Sequence, residues 1–378
     1  MDRPFLSRPQ AVVHSRRHGA VKRYVPQNLF TEMAGSMHDF YSDTQSRPTR
    51  AMREAALDIP LGDERHDADP STLELCARVA DMLGMEAAVF LPSGTMCNEI
   101  AIAVHTSPGD EVICTRESHI IFAESGGPAA LSGVMMHPID GKRGMLTQEQ
   151  LSDAIRPRSA HAPRSRLLVA EQTANLAGGA IWPLDQLNTV ASAAKAAGLA
   201  THLDGARLLN AQVATGIPAR DFARGFDSAW IAFTKGLGCP VGAVLAGSRG
   251  FVEEAWLLKR RWGGAMRQTG VLTAMCLYAL DHHVERLAED HRLAQSIAAR
   301  LADLPIIASV MPVETNIVIA DLDPQAPDAR ETSRLLREKN VTVTVVGNRR
   351  IRMVTHLDVG PMDADALISA LGAISRGS

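Results

Sequence analysis

A chain of 378 residues, 46% hydrophobic and with a formal net charge of −3, is long enough for one large α/β domain and a smaller one. Near-neutral charge argues against a polyanion partner such as nucleic acid, no apolar run approaches a membrane span, and the N-terminus lacks the apolar core of a secretory signal. Five widely spaced cysteines (Cys76, Cys97, Cys114, Cys239 and Cys276) with no Cys-x-x-Cys pair fit reduced thiols in a cytoplasmic enzyme, and neither a disulfide frame nor a metal site is expected.

Residues 1–38 form a basic arm, with Arg3, Arg8, Arg16, Arg17, Lys22 and Arg23 against only Asp2 and Glu32. It reads as a flexible extension, an upstream start or an organelle transit peptide of weak pattern. The stretch "STLELCARVADMLG" predicts a helix that opens on a capping box, Ser71 with Glu74, and stops at Gly84. A strand over 87–91, a helix from Thr95 and a strand over 111–114 follow. A helix from Thr147 leads into "RLLVAEQ", and a helix over 184–197 leads into "LATHLD". Strands over 228–233 and 241–246 flank Lys235. Strands alternating with helices of about a dozen residues predict a mostly parallel sheet covered on both faces, in a large domain over 39–268. After Gln268 a long helical run reaches Arg300, and the short segments "TNIVIA", "VTVTVV" and "RRIRMVTHL" precede a final helix. That pattern predicts a smaller α+β domain over 269–378. His282 and His283, in "DHHVERLAEDH", read as part of a solvated helix face.

Three stretches carry chemistry when read together. "LPSGTMCNE" sets Ser93, Gly94 and Thr95 between a strand and a helix start, where free N–H groups and the helix dipole suit a phosphate. "THLDGARLLNA" puts Asp204 at the C-terminal end of a strand, where ligands of open α/β sheets gather; by itself it could equally be a helix cap. "TKGLG" puts Thr234 and Lys235 between two apolar runs, where an ammonium is expensive to keep unless it gains a partner or neutralises. Phosphate seat, acid and lysine, in that order, are what pyridoxal 5′-phosphate needs. A lysine amine forms a Schiff base with its aldehyde, and an acid keeps the pyridine nitrogen protonated.

The stretches "SDTQSRPTRAMREA", "FLPSGTMCNEIAI", "HLDGARLLNA", "TKGLGCPVGAVLAG", "GGAMRQTG" and "RMVTHLDV" closely resemble the low-specificity L-threonine aldolases, of the β-eliminating lyase group within the aspartate-aminotransferase-like enzymes of fold type I. The match runs from about residue 39 to 370. The resemblance implies a seven-stranded large domain, a small C-terminal domain, pyridoxal phosphate, and a homotetramer of dimers that share active sites. It implies cleavage of an L-β-hydroxy-α-amino acid, such as threonine, allo-threonine or phenylserine, to glycine and an aldehyde. A β-eliminating lyase or a transaldolase acting on a β-substituted amino acid is the alternative.

Carried over through the matched motifs, Lys235 becomes the Schiff-base lysine and Asp204 the pyridine-nitrogen partner. Arg207 lies near the ring or the substrate, and Gly94 and Thr95 hold the phosphate. Arg267 reaches a phosphate across the subunit interface, His119 stacks on the cofactor ring, and Ser42 with Arg352 holds the substrate α-carboxylate. The pattern departs around the substrate side chain. Where the family shows a histidine in a stretch like "ENTHN", this chain has Ala174 in "EQTANLAGG", and alanine transfers no proton. A family tyrosine is His66, a glutamate is Ala68, an arginine is Tyr41, and a lysine is Arg260. The departures suggest a side chain larger or differently polar than that of threonine, and His66 is a candidate partner for the substrate hydroxyl.

Overall fold

The structure, a computed structural model, describes residues 37–376; the basic arm expected over 1–38 lies, but for its last two residues, outside them. Strand β1 (His38–Asp39) opens the described chain. Seven strands then build one sheet: β2 (Ala87–Leu91), β3 (Glu111–Thr115), β4 (Met135–Ile139), β5 (Ser165–Glu171), β6 (Ala200–Asp204), β7 (Ser228–Ala232) and β8 (Ala243–Gly247). Their order is β2-β8-β7-β6-β5-β3-β4. Every pairing from β7 to β4 is parallel, and β8 alone runs antiparallel to both of its neighbours.

Burial follows position in the sheet. β3, β7 and β8 are buried at every residue, as strands covered by helices on both faces must be. β4, at the edge, is partly exposed and carries Pro138, which an edge strand accommodates because only one side of it needs a ladder. "MMHPI" has no β-branched run to announce a strand, and the sequence reading passes over it.

The helix expected from Ser71 begins one residue earlier, at Pro70, and is capped by Asp69. Proline at the first helical position costs no hydrogen bond. The buried Asp69 accepts from the Thr72 amide at 3.0 Å and the Gly270 amide at 2.9 Å, so one carboxylate caps the helix and anchors a distant segment. Such a cap is worth about 1 kcal/mol.

The helical run after Gln268 is two helices, Gly270–His282 and Leu287–Leu301. Met275, Cys276 and Ala279 of the first, and Leu287 at the start of the second, belong to the core of the large sheet, and a second core takes in Ala294 and later residues together with Phe40. Along this run the change of core therefore falls inside the second helix, beyond the boundary expected at 268/269. His283 is not on a solvated face: it is buried, with Nδ1 2.7 Å from the Leu237 carbonyl oxygen. The second core surrounds β9 (Ile307–Val310), β10 (Ile317–Leu322), β12 (Thr344–Gly347) and β13 (Arg350–Val354), antiparallel in the order β12-β13-β10-β9. β11 (Val341–Thr342) pairs in parallel with β1. That pairing, with Val354 N–H donating to Phe40 O at 3.0 Å, brings Tyr41 and Ser42 beside β13. No helix among the described residues is long and apolar enough to cross a membrane.

Candidate active site

The carboxyl ends of β5, β6 and β7 deliver Glu171, Asp204 and the segment that holds Lys235. This is the edge of a parallel sheet at which ligands collect. Lys235 lies in the ten-residue connection from β7 back to β8. Gly238, at φ 75°, donates to Lys235 O at 2.8 Å, and Phe233 N–H donates to Gly242 O at 3.0 Å. The Lys235 Nζ stands 5.7 Å from the centre of the Trp230 ring, and among the described residues it has no hydrogen-bond or ion-pair partner. Burial draws its proton affinity down and the Arg207 charge lowers it further, with Asp204, Asp43 and Glu171 offsetting part of the effect. An amine so placed is more readily neutral, and thus nucleophilic, than one in water.

Asp204 is held by a side chain that the sequence reading did not assign. Asn98, one turn into the Gly94–His105 helix, donates from Nδ2 to Asp204 Oδ2 and to Glu124 Oε1, each at 2.8 Å. Its Oδ1 accepts from Trp230 Nε1 at 2.8 Å and lies 3.1 Å from His202 Nε2. The amide is thereby satisfied on both ends and cannot turn. The Ala206 amide donates to Asp204 Oδ1 at 3.0 Å, so the carboxylate is fixed from two sides. Glu124 Oε1 also lies 2.8 Å from His119 Nδ1. Burial lowers the His119 pKa, but the Glu124 hydrogen bond and the charges of Asp204, Glu124 and Glu171 outweigh it, and the net shift is upward. Glu171 accepts the backbone N–H of His119 at 2.8 Å and of Asn175 at 2.9 Å. Burial and the nearby Asp204 nonetheless push its pKa up to about 7.

The opposite wall is cationic. Arg207 forms two parallel hydrogen bonds to Asp43, Nε to Oδ2 and Nη2 to Oδ1, both 2.7 Å. Burial alone would raise the Asp43 pKa, yet Arg207 holds the carboxyl well below the usual range. Arg352, on β13, donates from Nη1 to Asn175 Oδ1 at 2.8 Å and from Nη2 to Tyr41 O at 3.4 Å. Its buried Nε has no acceptor among the described residues; burial, with the Arg207 charge, brings its pKa down to about 10. A buried guanidinium with a free N–H is arranged to receive an anion. Ser42, Tyr41, His119, Phe122, Arg207, Lys235 and Arg352 line one cavity of about 520 Å³.

Other expected residues lie outside that lining. Ser93, Gly94 and Thr95 sit at the N-terminus of the Gly94–His105 helix, where Ser93 Oγ accepts from the Met96 amide at 3.2 Å. A Cβ on Gly94 would come within 2.2 Å of the Trp230 ring, so glycine is required for the helix end to lie against the indole that Lys235 faces. Thr234 is half-buried beside Lys235. Arg267 pairs with Asp63 at 2.7 Å on an exposed surface, and His66 is exposed in the same region. Ala174 is buried in an apolar cluster with Ala177, Ala180 and Met145. Its Cβ would be only 2.7 Å from a Cβ built at Gly144. The position is closed by the neighbouring hairpin.

These features fit pyridoxal phosphate. Among the described residues, an amine without a partner faces a cavity, a fixed carboxylate stands at a strand end, and the Gly94 and Thr95 amides make no hydrogen bond at a helix N-terminus. The buried Arg352 Nε adds a place for a carboxylate. Among the described residues no cluster could hold a metal ion.

Comparison with known proteins agrees with this chemistry. The profile described as beta-eliminating lyase matches residues 39–325. The chain is 37% identical over 343 residues to the probable low-specificity L-threonine aldolase 2 of Arabidopsis thaliana, covering 89% of this chain and 96% of that protein. It is 36% identical over 324 residues to the low specificity L-threonine aldolase of Escherichia coli K12, covering 85% and 95%. Among solved structures, the threonine aldolase of Leishmania major superposes with a TM-score of 0.75 at 20% identity, covering 89% of this chain and 99% of that one. That likeness carries the fold.

Proposed function

We propose, from the premise that the chain belongs to the beta-eliminating lyase family, that it is a pyridoxal-phosphate-dependent aldolase. It cleaves L-β-hydroxy-α-amino acids, threonine among them, to glycine and an aldehyde. The observation that carries this reading is the convergence of Ser42, His119, Arg207, Lys235 and Arg352 on one cavity, with an amine that has no partner among the described residues. When bound, pyridoxal phosphate supplies an electron-accepting ring that stabilises the carbanion left at Cα.

The chain's own residues do the rest. Lys235 Nζ, its proton affinity lowered, is the nucleophile toward the cofactor aldehyde. Asp204, fixed by Asn98 and the Ala206 amide, holds a proton on the pyridine nitrogen. His119, tied to Glu124, lies against the ring face. Ser93, Gly94, Thr95 and Thr234 serve the phosphate end, and Arg267 serves the phosphate of a partner subunit in a homotetramer with shared sites. Arg352 and Ser42 grip the substrate carboxylate. With the cofactor bound, that grip would fix how Cα–Cβ stands to the ring, and so whether the breaking bond can overlap its π system.

Ala174 offers no proton-transfer group, and the exposed His66 lies outside the cavity lining. The hydroxyl proton therefore leaves by neither of these two positions. The Tyr41, Phe122, Leu176 and Val346 side of the cavity suits an apolar substituent at Cβ, which favours a substrate bulkier than threonine. The test is incubation with threonine, allo-threonine and phenylserine and analysis of all products. Glycine with the matching aldehyde is expected; ammonia with a 2-oxo acid would instead assign β-elimination.

A further inference from the structure

Two carboxyl groups lie behind His119 in a place where both cannot be charged. Glu99, on the Gly94–His105 helix, and Glu124, after the short His119–Phe122 turn of helix, are both buried and within hydrogen-bond reach of one another. Among the described residues, both oxygens of Glu99 and Oε2 of Glu124 have no other partner. The other oxygen of Glu124 is fully used, by Asn98 Nδ2 and His119 Nδ1. Glu99 is pressed into this position: a Cβ on Gly127 would lie 1.9 Å from its Oε1. Like charges so close in a poorly solvated pocket drive one group to keep its proton.

We infer that Glu99 and Glu124 share one proton, the Glu99 carboxyl donating to Glu124 Oε2. Glu99 is thereby a positioning residue: it fixes Glu124, and through it the His119 ring and the Asn98 amide that aims Asp204. The inference takes its catalytic meaning from the aldolase reading, but the shared proton does not depend on it.

The surrounding groups agree with a neutral Glu99. Burial and the Glu124 charge push its pKa up to about 8. Behind Glu124 stand His119, Asp204 and Glu171. On other elements packed against the helix, Lys259 is committed to Glu64 at 2.7 Å, and His202 is held neutral by burial, its pKa lowered to about 3. His105, at the end of the helix, is likewise lowered by burial, to about 4. No cation in this set neutralises Glu99. Loss of its proton would set two carboxylates face to face and push Glu124 off its two donors.

The experiment uses cofactor-free wild-type protein with ¹⁵N-labelled histidine, titrated through the alkaline range, together with infrared difference spectra of the carboxyl region. A protonated-carboxyl stretch is expected at neutral pH, lost in step with a shift of the His119 nitrogen resonances near pH 8. In Glu99→Gln the step near pH 8 should vanish from both readouts, leaving the lower one that belongs to Glu171, while the His119 Nδ1 resonance keeps its hydrogen-bonded position, because the amide still donates to Glu124. In Glu99→Leu, which leaves Oε2 unsatisfied, affinity for pyridoxal phosphate should fall about tenfold, and by no more than about a third of that in Glu99→Gln. Absence of the protonated-carboxyl band in the wild type overturns the inference whether or not either variant folds. So does a Glu99→Gln protein that retains the step near pH 8. Neither readout involves turnover, so failure of the aldolase reading would show separately in the product analysis.

Discussion

Asp43 grips Arg207 through both carboxylate oxygens, at 2.7 Å each, and both side chains are buried. The acid comes from the loop after β1 and the arginine from the turn after β6, so the pair joins the start of the described chain to the site. It also explains a side chain that sequence reading left unassigned. A buried Arg207 can line the cavity only if something behind it balances its charge.

Replacing Asp43 by alanine leaves an uncompensated buried guanidinium, and breaking such a pair costs about 3–5 kcal/mol. Urea unfolding should show that loss at neutral pH. The pH dependence follows from the sign of the shift. Because the folded pKa of Asp43 is depressed, its contribution is present above the unfolded value of about 3.9 and lost as pH falls toward the folded one. Asp43→Asn should therefore flatten the acid limb of the stability profile, and an unchanged limb would remove Asp43 from the account.

Borohydride reduction of the holoprotein followed by peptide mapping should place the reduced cofactor on Lys235. Lys235→Arg keeps a cation but no nucleophilic amine, and it should form no borohydride-stable adduct and no glycine. An adduct on another lysine would displace Lys235 from its role.

Arg352→Lys keeps the charge but gives up the planar fork. Loss of one charge-assisted hydrogen bond, about 1.5–3 kcal/mol, corresponds to a rise in KM on the order of tenfold to a hundredfold. If Arg352 holds the substrate carboxylate as proposed, reaction type should also loosen, since that hold would set which bond at Cα is aligned for cleavage. Threonine recovered from deuterium oxide should then carry deuterium at Cα, the mark of Cα deprotonation, whereas glycine takes up solvent hydrogen there in either case.

Restoring a histidine at Ala174 should not restore a proton-transfer group. The site is closed by Gly144 and Met145, and overpacking of this kind costs about 1–3 kcal/mol. Ala174→His should lower the thermal midpoint without raising the rate of threonine cleavage. A variant faster than the parent would mean that the hairpin yields.

Much of this was legible in the residues because it is written locally. A strand end followed by a glycine and a helix start marks Asp204 and Gly94, and a lysine between two apolar strands marks itself. Asn98 was harder, since its importance lies in a side chain that meets Asp204, Glu124, His202 and Trp230, each from a different segment. Only its place one turn after Gly94 hinted at it. Asp43, Asn175 and Glu124 act through contacts distant in sequence or made by the tertiary path, and no spacing rule announces them. The cap at Asp69 shows the same limit on a smaller scale, because Ser71 and Glu74 satisfy the pattern while Pro70 moves the helix start.

The antiparallel course of β8 has a consequence for how this catalyst can vary. A parallel neighbour would need a long crossover after β7, and the lysine would ride on a mobile excursion. Here the chain doubles straight back, and the ten residues between the strands are latched at both ends by Phe233 to Gly242 and by Cys239 N–H to Phe233 O at 2.9 Å. The reactive nitrogen is mounted on a stub that the sheet itself clamps. Lengthening that stub by even one residue would detune the amine, whereas the outlying segment between Ile155 and Arg164 has room to drift in length.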